Sequence, residues 1–201
     1  MIETVYDNYL FKTKLGLNTD VMRDSSLKME KLLQKHFYDK EQSYKSDSAE
    51  SAKYFASYNI LLYCFPEFHN LYEGIRKTFH EIADKITPEN NHYIQCWLNV
   101  YREGDQIGWH GHWPSEKTSW HGFYCVDCEP SKTTYRIPNG SSYNEIDVES
   151  VNDNLIIGKS DNDLHRTWPW EKDSPRITIA FDIVPARFID NEQWLNHWIP
   201  I

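Results

Sequence analysis

His110 and His112, in the stretch 97–113 (WLNVYREGDQIGWHGHW), stand one residue apart directly after an alternating run. In an extended strand side chains alternate faces, so both imidazoles project the same way, and Gly111 between them adds no bulk. Two imidazoles on one face can grip a single metal ion. With nine histidines in 201 residues, an HxH pair is expected by chance about 0.4 times, so the pair needs company. That company lies downstream. His165 follows LIIGKSDNDL, and eleven residues later Arg176 opens RITIAFDI, an alternating strand on which Arg176 and Thr178 share a face. An arginine on a strand that otherwise reads as core needs a carboxylate or phosphate, because burying an unpaired charge is prohibitive.

The order HxH, then a distal histidine, then Arg-x-Thr resembles the Fe(II)/2-oxoglutarate-dependent oxygenases, whose usual pattern is HxD…H…RxS on a double-stranded β-helix, the cupin-like jelly roll. The approach to the motif is similar too. Asn99, Tyr101 and Gly104 match the N-x-Y-x-x-G run of the AlkB-like branch, and HGFYCV at 121–126 sits where these enzymes carry a short strand. The likeness spans 92–185, and its nearest fit is a subgroup of phages and marine bacteria whose first motif reads HxH.

The resemblance implies a hydroxylating dioxygenase that releases succinate and CO2. Fe(II) would be held by His110, His112 and His165, and 2-oxoglutarate would bind as cosubstrate through Arg176, helped by Thr178 and by Tyr101 or Asn99. The departure is His112, a neutral ligand where the relatives have an aspartate, since the facial set expected for non-haem Fe(II) is two histidines and one carboxylate. Glu116 or Asp127 stays open as a carboxylate in its place.

A chain of 23.9 kDa suits one domain with a substantial core. Residues 1–91 read as an opening strand and bracing helices, 92–185 as the jelly-roll core and 186–201 as a tail. The net charge of −9 argues against a broad surface that tracks phosphates, so nucleic acid is disfavoured as a partner. No stretch reads as a signal peptide or membrane span, which leads us to expect a soluble, cytoplasmic protein. Cys125 and Cys128 form a CxxC without the second pair or helical context of a zinc or redox motif, and read as a buried thiol and a turn residue.

The positioning elements come next. Residues 3–13 alternate as an opening strand, and Ser25 or Ser26 caps a helix with Met29, Leu32, Leu33, His36 and Phe37 at helical spacing. His36 borders that stripe as a surface histidine. The polar segment 38–52 is a connection or a lid. Pro66 opens a second helix, on which Phe68, Leu71, Tyr72, Ile75, Phe79 and Ile82 recur at steps of three and four until TPENN (87–91) stops it. From there short runs at 92–102, 107–112, 119–127, 132–138, 154–158 and 176–185 carry the signature of a sandwich or barrel.

Tryptophans 109, 113, 120, 168 and 170 cluster around both motif halves. Trp109, Trp113, His121 and Trp168 are candidates for a pocket that takes a small-molecule or peptidyl substrate, while closure of the core remains open for the same rings. His121 reads either as support behind the metal or as a competing ligand. Trp198 and Ile199 are expected to pack back on the body or on a second subunit. Two other functions fit part of the pattern: a three-histidine cupin dioxygenase that does not use 2-oxoglutarate, and a non-catalytic carbohydrate-binding jelly roll.

Overall fold

The computed structural model describes residues 1–6, 8–38, 49–86, 91–114, 117–189 and 197–201, with 84–86 by backbone alone. The chain begins with a hairpin, β1 (Glu3–Tyr6) and β2 (Leu10–Lys14). The single strand expected over 3–13 is therefore broken, by a turn in which Asn8 takes φ 54° and the Tyr9 N–H bonds the Tyr6 carbonyl at 3.0 Å.

Helix α1 (Thr19–His36) starts earlier than its sequence suggests, capped by the Asn18 side chain on the Val21 N–H. Ser25 and Ser26, the expected caps, are buried within the helix. Its apolar stripe runs back to Met22, and the two small serines let α1 approach its neighbour. There the Ser25 hydroxyl donates to Glu67 at 2.9 Å. Of the expected stripe, Leu32 is exposed and His36 lies at the surface as read. Helix α2 (Pro66–Ile86) follows its periodicity, with Phe68, Leu71, Ile75, Phe79 and Ile82 buried. The proposed lid falls largely outside the described residues, as does most of TPENN.

Seven further long strands follow: β3 (His92–Tyr101), β4 (Trp120–Asp127), β5 (Ser131–Asn139), β6 (Ser142–Ser150), β7 (Asn154–Lys159), β8 (Leu164–Thr167) and β9 (Arg176–Pro185), with a short β10 (Ile199–Pro200) at the end. They form a seven-stranded sheet in the order β1-β2-β7-β4-β9-β3-β10 and a three-stranded sheet β6-β5-β8. Every pairing is antiparallel. Two facing antiparallel sheets with helices on the larger one are the expected double-stranded β-helix. The division at 91 and 186 is not one of sheets, because β2 from the N-terminal part pairs β7 and β10 from the tail pairs β3.

The expected runs leave out β8 and also β6. The β6 sequence SYNEIDVES buries little beyond Val148 and Ser150, so no apolar run marks it. Conversely, 107–112 does not form a continuous strand: only residues 107 and 110 are bridged, the Ile107 carbonyl accepting the Thr167 N–H at 3.1 Å while its own N–H bonds the Thr167 hydroxyl, and His110 bridging His165.

Two local features fix the sheet that carries the site. Gly122 on β4 is required, since a Cβ there would lie 2.1 Å from the Ile156 carbonyl oxygen on β7. Along the outer edge of β3, side chains of the preceding loop take the free N–H groups. Val100 N–H bonds Ser51 Oγ at 3.0 Å, Leu98 N–H bonds the Tyr58 hydroxyl at 2.9 Å and Cys96 N–H bonds Asn59 Oδ1 at 3.2 Å. An edge that would otherwise invite another strand is closed. No described helix is long and apolar enough to cross a membrane.

Candidate active site

The period-two geometry of β3 and β9 builds one wall of a cavity of about 400 Å³. Register pairs Tyr101 with Arg176, Asn99 with Thr178, Trp97 with Ala180 and Gln95 with Asp182, and all eight line the cavity. The alternate residues, Ile94, Cys96, Leu98, Ile177, Ile179 and Phe181, belong to the main core. One alternation thus gives the sheet a dry side and a chemical side.

His110, His112 and His165 converge on this cavity, with ligand atoms within 4.8 Å of one another. The bridge between residues 110 and 165, N–H to O at 3.1 and 2.9 Å, brings the two motif halves together. Gly111 is needed between the first two histidines, because a Cβ there would sit 2.9 Å from the Asp163 carbonyl oxygen. Two of the outer ring nitrogens are engaged. His110 Nδ1 donates to the Gly108 carbonyl at 2.9 Å, and His112 Nδ1 donates to Asp182 Oδ1 at 2.6 Å. Each bond leaves the Nε2 lone pair for a ligand.

A second set lies behind the first. His121, Asp163 and His165 also bring ligand atoms within 4.8 Å and are all buried, so His165 belongs to both sets. Asp163 Oδ2 is 3.1 Å from His121 Nε2 and 3.9 Å from His165 Nδ1, and none of these atoms is aligned in a hydrogen bond.

The electrostatics act in opposite senses on the three imidazoles. Burial, with the charge of His112, pushes His110 down to about 4. Burial and the neighbouring histidines hold His165 well below the usual range. Burial opposes protonation of His112 too, but the Asp182 carboxylate outweighs it and the net shift is upward. For Asp163, burial disfavours the carboxylate, and His121 and His165 together reverse that and hold it strongly ionised.

Arg176 is 3 % exposed and lines the cavity. Its Nε donates to the Ser131 hydroxyl at 3.0 Å and its guanidinium lies 5.1 Å over the Tyr101 ring. Among the described residues no carboxylate pairs with it. Beside it Asn99 reaches the Thr178 hydroxyl at 3.4 Å, and Asn99 Oδ1 is buried without a partner. The cavity therefore offers an anion-seeking group from β9 and three imidazoles, one on β8 and one bonded to Asp182 of β9.

Several sequence expectations need correction. Of the four residues expected at a substrate pocket, Trp113 lines the cavity, while Trp109, His121 and Trp168 do not. Trp109 and Trp168 clamp Arg166 from either side at 4.6 and 4.0 Å, on the face of β8 opposite to His165. Trp120 and Trp170 are buried, whereas Trp97 and Trp198 line the cavity without having been singled out for it. Asp127 is held by Arg23 of α1 at 2.8 Å and is no ligand, and Glu116 lies outside the described residues. The carboxylates near the histidines are instead Asp182 and Asp163. Both were legible by parity, Asp182 six residues after Arg176 and Asp163 two before His165. Cys96, Cys125 and Cys128 are buried free thiols, as read for Cys125.

No family model matches the sequence, and no curated relative does. Solved structures do. A prolyl hydroxylase from Trichoplax adhaerens, in complex with a hypoxia inducible factor peptide fragment, aligns with a TM-score of 0.66 at 12% identity, covering 92% of this chain and 89% of its own. A prolyl-4-hydroxylase from Pseudomonas putida gives 0.58 at 10% identity over 88% and 92%. The epimerase SnoN of nogalamycin biosynthesis, solved with Fe3+, α-ketoglutarate and nogalamycin RO, gives 0.56 at 10% over 90% and 84%. At such identities the likeness is one of architecture, and it agrees with the sheets described above: the chain has the double-stranded β-helix fold of these oxygenases.

Proposed function

We propose that the protein is an Fe(II)- and 2-oxoglutarate-dependent oxygenase that hydroxylates a small-molecule or peptidyl substrate. The observation that carries this reading is Arg176, a buried guanidinium facing a cavity with no carboxylate of the described residues to neutralise it. A dicarboxylate cosubstrate supplies the missing partner, and the planar fork can bind it through two bonds as a lysine would not.

The donor set suits the metal. His110, His112 and His165 offer three imidazoles at one edge of the same cavity, and the outer nitrogens of His110 and His112 bond protein groups that fix ring orientation. Bound iron, with 2-oxoglutarate and dioxygen, would supply the oxidising chemistry. The chain's own residues do the rest. Arg176 and Thr178 take the distal carboxylate, and Asn99 and Tyr101 orient it. Trp97, Phe123 and Ile107 keep the walls apolar, and Trp113 with Trp198 border the space left for substrate.

A three-histidine dioxygenase that works without 2-oxoglutarate has the neutral ligand set in its favour and Arg176 against it. Anaerobic addition of Fe(II) and then 2-oxoglutarate separates the two. The oxygenase reading expects a weak visible charge-transfer band that needs both additions, and succinate formed in step with oxygen uptake. Iron binding with no response to 2-oxoglutarate would leave the other reading standing.

A further inference from the structure

The HxH motif has one negative charge fewer than the two-histidine, one-carboxylate set usual for iron. We propose that Asp182 supplies it from one step further out, as a positioning residue that holds His112 and carries the missing charge behind it. This rests on the oxygenase reading above and adds a group that it does not need.

The geometry is specific to this aspartate. It stands on β9 in the same alternating row as Arg176 and Thr178, with its side chain 9% exposed. Oδ1 accepts from His112 Nδ1 at 2.6 Å, and Oδ2 accepts from Trp113 Nε1 at 3.0 Å. With both oxygens engaged, the carboxylate is a support for the ligand and not a ligand itself. His110 donates to a neutral carbonyl, and His165 Nδ1 lies 3.9 Å from Asp163, beyond a hydrogen bond. A carboxylate bonded to the far nitrogen of an imidazole fixes its tautomer and makes the near nitrogen a stronger donor.

This makes an unusual prediction about pairs of substitutions. From the motif alone, His112→Asp restores the common ligand set and should be benign. With Asp182 in hydrogen-bond contact it instead sets two carboxylates against each other. Asp182→Asn should therefore weaken metal binding in the parent and strengthen it in the His112→Asp background, a reversal of sign that loss of packing would not produce.

The measurement is Co(II) affinity by visible absorption and Fe(II) affinity by anaerobic competition, on parent, both single variants and the double variant. The melting temperature of each metal-free protein serves as the folding check. The expected result is a loss of roughly 10- to 100-fold for Asp182→Asn in the parent, and a gain for the same change beside His112→Asp. Trp113→Phe, which frees Oδ2 and leaves His112 untouched, should weaken binding a few-fold and covers the case in which Asp182→Asn does not fold. Equal affinities with and without Asp182, or a change of the same sign in both backgrounds, would overturn the proposal while leaving the oxygenase reading intact. A parent that binds no metal at His110, His112 and His165 would sink both.

Discussion

Two arginines in this protein sit against aromatic rings and mean opposite things. Arg166 on β8 is sandwiched between Trp109 and Trp168, whose outer faces meet Arg136 at 4.0 Å and Lys132 at 5.5 Å. That alternation of cations and rings lies on the outside of the smaller sheet, with Trp168 45% exposed and carboxylates of β6 pairing Arg136 and Lys132. Arg176 also has a ring beneath it, but it is buried and faces a cavity instead of solvent. On the outer face Arg166 is only partly buried and lies close enough to the Asp147 carboxylate to favour its ionised form, so its charge costs little even with its Nε lacking a partner among the described residues. In the cavity no carboxylate of the described residues pairs with Arg176, whose Nε donates to the neutral Ser131 hydroxyl, so a ligand has something to supply. Trp109 and Trp168, which catch the eye in the sequence, decorate the outer face, and the plainer RITIAFD supplies Arg176, Thr178, Ala180 and Asp182 to the cavity wall.

The sharpest way to break this contrast is to remove each arginine in turn. Arg176→Ala should weaken 2-oxoglutarate binding by at least roughly 100-fold, the order expected when a buried charge pair loses one member, with Fe(II) affinity nearly intact. Arg166→Ala should leave both unchanged. Isothermal titration of each ligand separately decides it, and equal loss of metal and 2-oxoglutarate in Arg176→Ala would make that residue a structural one.

Acid should also distinguish cavity from surface. An unfolded histidine takes its proton near 6.5, whereas folded His110 takes it at about 4. The unfolded state therefore binds the proton more readily in between, and stability present above pH 6.5 is lost as the pH falls toward 4. His112 acts in the opposite sense, because Asp182 favours its protonated form. His165, which burial also holds well below the usual range, adds to the loss, so the melting temperature of metal-free protein should drop by several degrees over that window, and His110→Gln should reduce the drop without abolishing it. A curve unchanged by His110→Gln would place the acid-sensitive group elsewhere.

Smaller effects sharpen the same comparison. Gly111→Ala forces a Cβ to 2.9 Å from the Asp163 oxygen, so the loop carrying His110 and His112 must shift. A stability loss of roughly 1–3 kcal/mol is expected from such overpacking, together with weaker Co(II) binding. Trp168→Ala on the outer face should cost only about 0.5–1 kcal/mol, the worth of exposed cation–π contacts, with metal and cosubstrate binding untouched. A change in either affinity would mean that the surface ladder is coupled to the cavity.

Local periodicity carried much of the fold and the outline of the site. The stripe Phe68, Leu71, Ile75, Phe79, Ile82 determined α2 because residues three and four apart must share a helix face. Alternation determined β3 and β9, and with them the common wall of Asn99, Tyr101, Arg176 and Thr178. The pairing of two histidines across Gly111 was legible from their spacing and from the small residue between them, although the strand whose parity suggested it does not form. What the sequence could not decide were relations between segments distant along the chain. The approach of His110 to His165 depends on a bridge between a loop and a strand that no local pattern marks. Whether a tryptophan lines the cavity or covers the outside depends on which side of β8 it falls, and that is set by β5 and β6. The partner of His112, Asp182, lies seventy residues away, and only the pairing of β9 with its neighbours brings the two together, since side-chain hydrogen bonds act over ångströms in space and carry no signature along the chain.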